Sequence, residues 1–340
     1  MIEHNISLKP YNTFGIDVKA KAFGRFKSVD ELKDLLQNRL SKVGIETPLF
    51  VLGGGSNILL TQDLPFFVLK NEISGIEIIN ETETSVVLKV GSGVEWHSFV
   101  RYTVEKGWGG VENLSLIPGS VGASPMQNIG AYGAELKDTF VSLEALHIDS
   151  AEIHTFNKEQ CQFGYRESVF KRALKNQYVI VSVSYKLSKN PKINTTYGAI
   201  QSEIEKLGVN EITVEAVSQA VMNIRRSKLP DPKVLGNAGS FFKNPVVSKS
   251  VFEQILKNYP DVPHYPQEQG EEKLAAGWLI EKAGWKGKRI GNCGVHEKQA
   301  LVLVNYGGAS GQEIYDLSAL IIADIESKFG VSLEREVNIF

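Results

Sequence analysis

Residues 114–133 read LSLIPGSVGASPMQNIGAYG, twenty positions with no charge, four glycines and two prolines. Proline and glycine together exclude a regular helix here, and the apolar content is too high for an exposed loop. A chain carrying this segment must fold around a buried, irregular turn. Glycine allows close backbone approach and positive φ, so bare N–H groups can point at phosphate oxygens, while Ser120, Ser124, Gln127 and Asn128 supply neutral donors. Such a turn suits a large, partly anionic cofactor. The alternative is a packed Gly/Pro turn with no ligand.

A second glycine cluster narrows the choice. Residues 49–57 read LFVLGGGSN, a short apolar run that breaks into Gly53, Gly54 and Gly55 and is followed by a second apolar run over 58–60. The pattern predicts strand, glycine turn, strand. A dinucleotide fingerprint needs G-x-G-x-x-G opening a helix, so spacing and following element both differ, and no G-x-x-x-x-G-K-[ST] occurs. A nucleotide cofactor would then sit on strand-to-strand glycine loops. A hairpin turn without ligand is the other reading.

With 340 residues the chain has room for two or three domains with cores of their own. A formal net charge of −2, with neither sign in long blocks, argues against a nucleic-acid surface or a polybasic membrane patch. The two cysteines, Cys161 and Cys293, have no metal-like spacing, so neither a disulfide framework nor a thiolate metal site is expected. The first residues lack the apolar core of a signal peptide and no run reaches membrane-spanning length. A cytoplasmic protein without nucleic-acid or membrane partners is expected.

Along the chain, Ser28 precedes an amphipathic helical pattern that leads into the 50–52 strand. Short β-branched runs fill 66–90, and VGSG at 90–93 introduces a helix carrying Trp96, Phe99, Val100 and Val104. Strand patterns recur at 141–148 and 178–187, with FGYRES at 163–168 between them. Helical spacing over 214–224 is broken by LPDP at 229–232, a domain junction. Helices are expected near 274–283 and 312–329, and strands at 301–305 and 333–339.

Polar residues at three places carry potential chemistry. Ser240, in GNAGSFFKNP at 236–245, can present a hydroxyl as proton donor, although a turn serine satisfying nearby backbone fits too; no G-x-S-x-G elbow exists. Arg166 can form a bidentate pair with a substrate carboxylate or phosphate, or an ion pair with Glu167. In LEREV at 333–337, Glu334 and Glu336 share one strand face, where neighbouring carboxylates can raise one another's pKa; a solvated face is the alternative.

Taken together the motifs resemble the UDP-N-acetylenolpyruvoylglucosamine reductase family over essentially the whole chain. The resemblance rests on NTFGID at 12–17, GGGSN at 53–57, IPGSVGASPMQNIGAYG at 117–133 and FGYRES at 163–168. It continues through TYGAI at 196–200, KLPDP at 228–232, GNAGSFFKNP at 236–245 and LEREV at 333–337.

The resemblance implies an α+β, vanillyl-alcohol-oxidase-type FAD-binding fold of two subdomains, 1–70 and 71–227, with a C-terminal α+β substrate-binding domain over 228–340. It implies that FAD is contacted by Gly53, Gly54, Gly55, Ser56 and Asn57. Pro118, Gly119, Ser120, Gly122, Ala123 and Ser124 follow in the second glycine segment, with Gln127, Gly130 and Ile180 beyond it. Arg166, Ser240 and Glu336 fall on the family's catalytic trio. Tyr197 falls on the mobile tyrosine loop of the longer subtype, and Lys228, Asn244 and Gln299 on substrate-binding positions. NADPH as hydride donor, UDP-N-acetylglucosamine enolpyruvate as substrate and a monomeric state complete the expectation. Arg335 stands where many relatives have proline, which puts the pose of Glu336 in question. The GGGSN loop has no histidine to tether flavin, so FAD is expected to be non-covalent. Two rivals are an oxidase of the same flavin fold and a binding protein that has lost turnover.

Overall fold

The computed structural model describes residues 1–44 and 47–340. The chain divides into two compact units, one comprising Met1–Ile6, Ala20–Gly54 and Pro65–Ser227, the other Ser7–Lys19, Gly55–Leu64 and Lys228–Phe340.

The two larger sheets among the described residues of the first unit have four and five strands. In the smaller, strands run in the order Ile2–Ser7, Lys19–Phe26, Leu64–Asn71, Leu49–Leu52, the last two parallel. Helix Val29–Lys42 packs on it, capped by Ser28, whose side chain accepts from Glu31 N. The larger sheet is antiparallel throughout, in the order Ile153–Asn157, Phe140–His147, Tyr178–Ser188, Ser85–Gly91, Ile76–Glu81. Its core is aromatic. Trp96 and Phe99 on helix Trp96–Glu105 meet Tyr185 with ring centroids 5.9 and 4.9 Å away, all three rings fully buried.

The charge-free segment lies against this sheet, entered by the 3-10 turn Glu112–Leu114, carrying a second at Val121–Ala123 and left through a tiny hairpin, Gly130–Ala131 with Ala134–Glu135. Backbone bonds fasten it: Trp96 N donates to Gly119 O, Val121 N to Val94 O and Gly122 N to Ser92 O.

The second unit pairs Gly236–Ser240, Val302–Asn305, Cys293–Val295 and Arg289–Ile290 in one antiparallel sheet, backed by helix Gly311–Phe329. A three-stranded sheet, Val246–Val247, Glu272–Leu274, His264–Pro266, lies apart from it. Strand Asn338–Ile339 runs parallel to Ile58–Leu59.

Residues 7–19 and 55–64 are bonded into the C-terminal unit. Asn305 Nδ2 donates to Phe14 O, and Asn338 donates through N and Nδ2 to Asn57 O. One expectation needs correction: 333–339 is not one strand. Phe242 and Arg335 form an isolated bridge, flanked by Glu336 N to Phe241 O and Lys243 N to Glu334 O. The chain then leaves that partner to pair with Ile58–Leu59. No helix among the described residues is long and apolar enough to cross a membrane.

Buried Asn305 also accepts from Gly307 N and Ala309 N, so its amide holds three segments with three bonds. Asn305→Ala should lower stability by about 3 kcal/mol, as each orphaned buried group costs about 1–3 kcal/mol. Urea unfolding checks this; a change below about 0.5 kcal/mol would contradict the assignment.

Candidate functional site

In the first unit the two glycine clusters touch through backbone. A Cβ on Gly54 would stand 2.7 Å from Gly119 Cα, and one on Gly53 would stand 2.5 Å from Ser120 Oγ. Gly122 is equally constrained, since its Cβ would lie 2.6 Å from that of Ser92. The strand Leu49–Leu52 delivers the chain to this contact, and the turn that follows cannot be made with larger residues.

The contact leaves donors over. Among the described residues, the N–H groups of Gly54 and Ser120 and the Ser120 hydroxyl have no protein acceptor. Two backbones in contact with open N–H groups form a cradle of the kind that binds phosphate oxygens. The residues present therefore fit a diphosphate-bearing cofactor. The Ile180 carbonyl accepts from Asn71 Nδ2, which also donates to Ser92 Oγ.

Two of the four polar residues assigned to the ligand are turned inward. Ser124 donates its hydroxyl proton to Val121 O and meets Tyr185 Oη at 2.9 Å, so that proton is committed to the fold. Asn128 is fully buried, donating to Gly164 O and Glu135 Oε2 and accepting from Lys137 N. Pro118 and Ala123 are exposed, and Gln127 is half-buried.

Arg166 sits at φ 54°, in the left-handed region, on a turn riveted to the glycine segment. Three bonds do this: Asn128 Nδ2 to Gly164 O, Ser168 Oγ to Met126 O at 2.7 Å, and Arg166 Nη2 to Gly130 O at 2.5 Å. Its guanidinium also lies 5.3 Å from the centre of the Tyr165 ring. Glu167, the ion-pair partner considered for it, is 2.9 Å from Arg172.

Tyr197 is half exposed before helix Gly198–Leu207, its ring edge-on to Tyr132 at 5.3 Å. Sequence reasoning passed over Tyr132, Asn113 and Arg225. Asn113 Nδ2 donates to the carbonyls of Tyr132 and Asn194, fixing the segment before Tyr197. Arg225 Nε donates to Leu116 O, and its side chain bonds Tyr132, whose phenol burial pushes upward in pKa. The Arg-Arg pair ending helix Val214–Lys228 was the available signal.

In the second unit, Ser240 ends a strand with a bulge after Asn237. Gly239 takes φ 71°, and its N–H donates to Asn237 Oδ1. Among the described residues the Ser240 hydroxyl has no hydrogen-bond partner, unlike a turn serine satisfying backbone. The next residue, Phe241, accepts from Glu336 N at 2.8 Å, so serine and glutamate lie on adjoining extended segments. Glu334 is drawn to the Lys243 ammonium 2.5 Å away, a partner the expectation of two facing carboxylates left out. Arg335 points the other way: Nε donates to buried Ser318 Oγ at 2.7 Å and the guanidinium lies 4.4 Å from the centre of the Tyr315 ring. It anchors the segment to helix Gly311–Phe329.

Asn244 and Gln299 meet at the start of helix Ala276–Lys282. Asn244 Oδ1 accepts from Ala276 N, and Gln299 Oε1 lies 3.2 Å from where a Cβ of Gly277 would stand. Lys228 is exposed at the first position of the unit's last segment.

Comparison with known proteins agrees with this geometry. An FAD binding domain matches residues 20–157, and the C-terminal domain of UDP-N-acetylenolpyruvoylglucosamine reductase matches 231–340. The chain is 52% identical over 339 residues to the UDP-N-acetylenolpyruvoylglucosamine reductase of Flavobacterium johnsoniae, covering 99% of both chains. It is 48% identical to that of Pseudomonas putida, covering 99% of this chain and 98% of the other. The crystal structure of the Thermus caldophilus enzyme superposes with a TM-score of 0.69 at 23% identity, covering 100% and 99% of the two chains, so the fold is shared.

Adding a methyl group at Gly54 should force the glycine turns apart. Gly54→Ala is expected to purify with less than about a tenth of the wild-type FAD content while losing about 1–3 kcal/mol of stability. Absorbance of the bound flavin against protein concentration measures it; full occupancy would contradict the cradle.

Proposed function

The chain belongs to the UDP-N-acetylenolpyruvoylglucosamine reductase family, and from that premise we infer that it reduces UDP-N-acetylglucosamine enolpyruvate to UDP-N-acetylmuramate for peptidoglycan synthesis. NADPH is the hydride donor, and the enzyme works as a cytoplasmic monomer. The observation that carries the reading is Ser240, a hydroxyl with no hydrogen-bond partner among the described residues, beside the peptide that pairs with Glu336.

FAD, held by the Gly53–Gly54 turn and the 119–122 segment, supplies hydride transfer when bound. The protein's part is position, charge and protons. Reduction of the vinyl group puts hydride on its terminal carbon and leaves negative charge on the adjacent carbon and carboxylate. The Arg166 guanidinium offsets that charge, held in place by Gly130 O and the turn bonds at Gly164 and Ser168. Ser240 then donates its proton to the adjacent carbon. Glu336 hydrogen-bonds the substrate carboxylate through a carried or shared proton, because a bare anion there would repel it. Tyr197, Lys228, Asn244 and Gln299 bind the nucleotide-sugar part, with Tyr197 covering the diphosphate.

Anaerobic stopped-flow on variants separates these roles. Ser240→Ala should bind FAD and be reduced by NADPH at a near-normal rate, but reoxidise with the enolpyruvyl substrate roughly a thousandfold more slowly, within the usual range for one general acid. Ser240→Cys should recover part of the loss. Reoxidation within a few-fold of wild type would remove Ser240 as proton donor. Arg166→Ala should likewise spare the NADPH half-reaction and lose orders of magnitude in the second. Equal loss in both halves would indicate a flavin-site or folding defect.

For Tyr197→Phe, KM should rise more than kcat falls, since the contact forms with bound substrate. Unchanged affinity, read from perturbation of the flavin spectrum, would rule the contact out.

A further inference from the structure

Lys70 sits where the flavin cradle turns. On strand Leu64–Asn71 it lies opposite Leu52 of the parallel neighbour, and its ammonium donates to Gly53 O at 2.5 Å. The side chain is half-buried, and burial lowers its pKa against the opposing pull of Glu72. That carboxylate is itself 3.6 Å from Arg25, whose charge acts on Lys70 in the same direction as burial. A partly desolvated cation therefore stands under the glycine turn with its neighbouring carboxylate shared.

Peptide geometry gives the contact a consequence. In a trans peptide the carbonyl of one residue and the N–H of the next point in opposite directions. With the Gly53 carbonyl held by Lys70, the Gly54 N–H is turned away from the lysine, and among the described residues it has no acceptor. Gly54 is the residue that closes on Gly119, and Gly53 the one that closes on Ser120.

We propose that Lys70 is a positioning residue for the FAD diphosphate: its ammonium fixes the Gly53 carbonyl so that the Gly54 N–H faces the diphosphate, and its charge offsets part of the diphosphate's own. The proposal rests on the FAD-binding domain over 20–157. A neutral donor could hold the carbonyl equally well, so the charge is the part that needs an anion.

The test uses the full chain stripped of flavin and titrated with FAD, followed by flavin fluorescence at low and high salt, for wild type, Lys70→Arg, Lys70→Gln and Lys70→Met. Lys70→Met should bind FAD about ten- to a hundredfold more weakly, the range for losing a hydrogen bond from a charged donor. Its affinity should also depend less on salt than that of wild type. Lys70→Arg should stay within a few-fold of wild type and keep the salt dependence. Wild-type affinity in Lys70→Met, or an equal loss in Lys70→Arg, overturns the proposal. Should Lys70→Met fail to fold, Lys70→Gln makes the same comparison: weakened binding with a flat salt response supports the charge, wild-type behaviour overturns it. Apo-protein melting temperatures show that each variant is folded. If wild type itself takes up no FAD, the flavin reading falls, and the proposal with it.

Discussion

The flavin-binding unit depends on one contact, the backbone of Gly54 against the backbone of Gly119, at a separation that leaves no room for a side chain on Gly54. Everything else in that region serves to hold the two turns there. Strand Leu49–Leu52 fixes one turn through its parallel partner, while bonds from Trp96, Val121 and Gly122 fix the other. Beneath the second turn, the Ser124 hydroxyl meets buried Tyr185 in the aromatic core. A structure built this way offers a ligand amide N–H groups and one serine hydroxyl, which matches the demand of a diphosphate for several short, directional donors.

The same economy governs the chemical groups. Arg166 is held in a left-handed backbone conformation that costs a non-glycine residue about 1–2 kcal/mol. Hydrogen bonds at Gly164, Ser168 and the guanidinium itself offset that strain and leave the arginine tied to the glycine segment instead of free on a surface loop. In the other unit a bulge and a left-handed glycine place Ser240. There the segment carrying Glu336 is pinned through Arg335 to a buried serine and a tyrosine ring.

What the sequence made legible was local. The strand-turn-strand around GGGSN, the cap at Ser28 and the helix carrying Trp96 follow from glycine chemistry, capping and periodicity, and all three are present. The inward turn of Ser124 and Asn128 was not legible, because their partners Tyr185 and Gly164 lie 61 and 36 residues away. The alternation of LEREV correctly separates Glu334 and Glu336 from buried Leu333 and Val337, yet a strand needs a partner along its length and this segment changes partners midway. Residues 7–19 and 55–64 lie next to the first unit in sequence, yet they bond to residues far downstream, among them Asn305 and Asn338 some 280 residues away, a pairing no local pattern announces. Lys70 carried no signal at all, since its role depends on which carbonyl its ammonium reaches.

If this scaffold serves a two-step reduction, electrons pass from NADPH to the enolpyruvyl group and not to oxygen. The most direct measurement is the absorbance of the wild-type holoprotein under strict anaerobiosis, followed through successive additions. NADPH should bleach the flavin band, and UDP-N-acetylglucosamine enolpyruvate should restore it with formation of one equivalent of UDP-N-acetylmuramate. A band that returns only when oxygen is admitted, or that NADPH fails to bleach, would contradict the account.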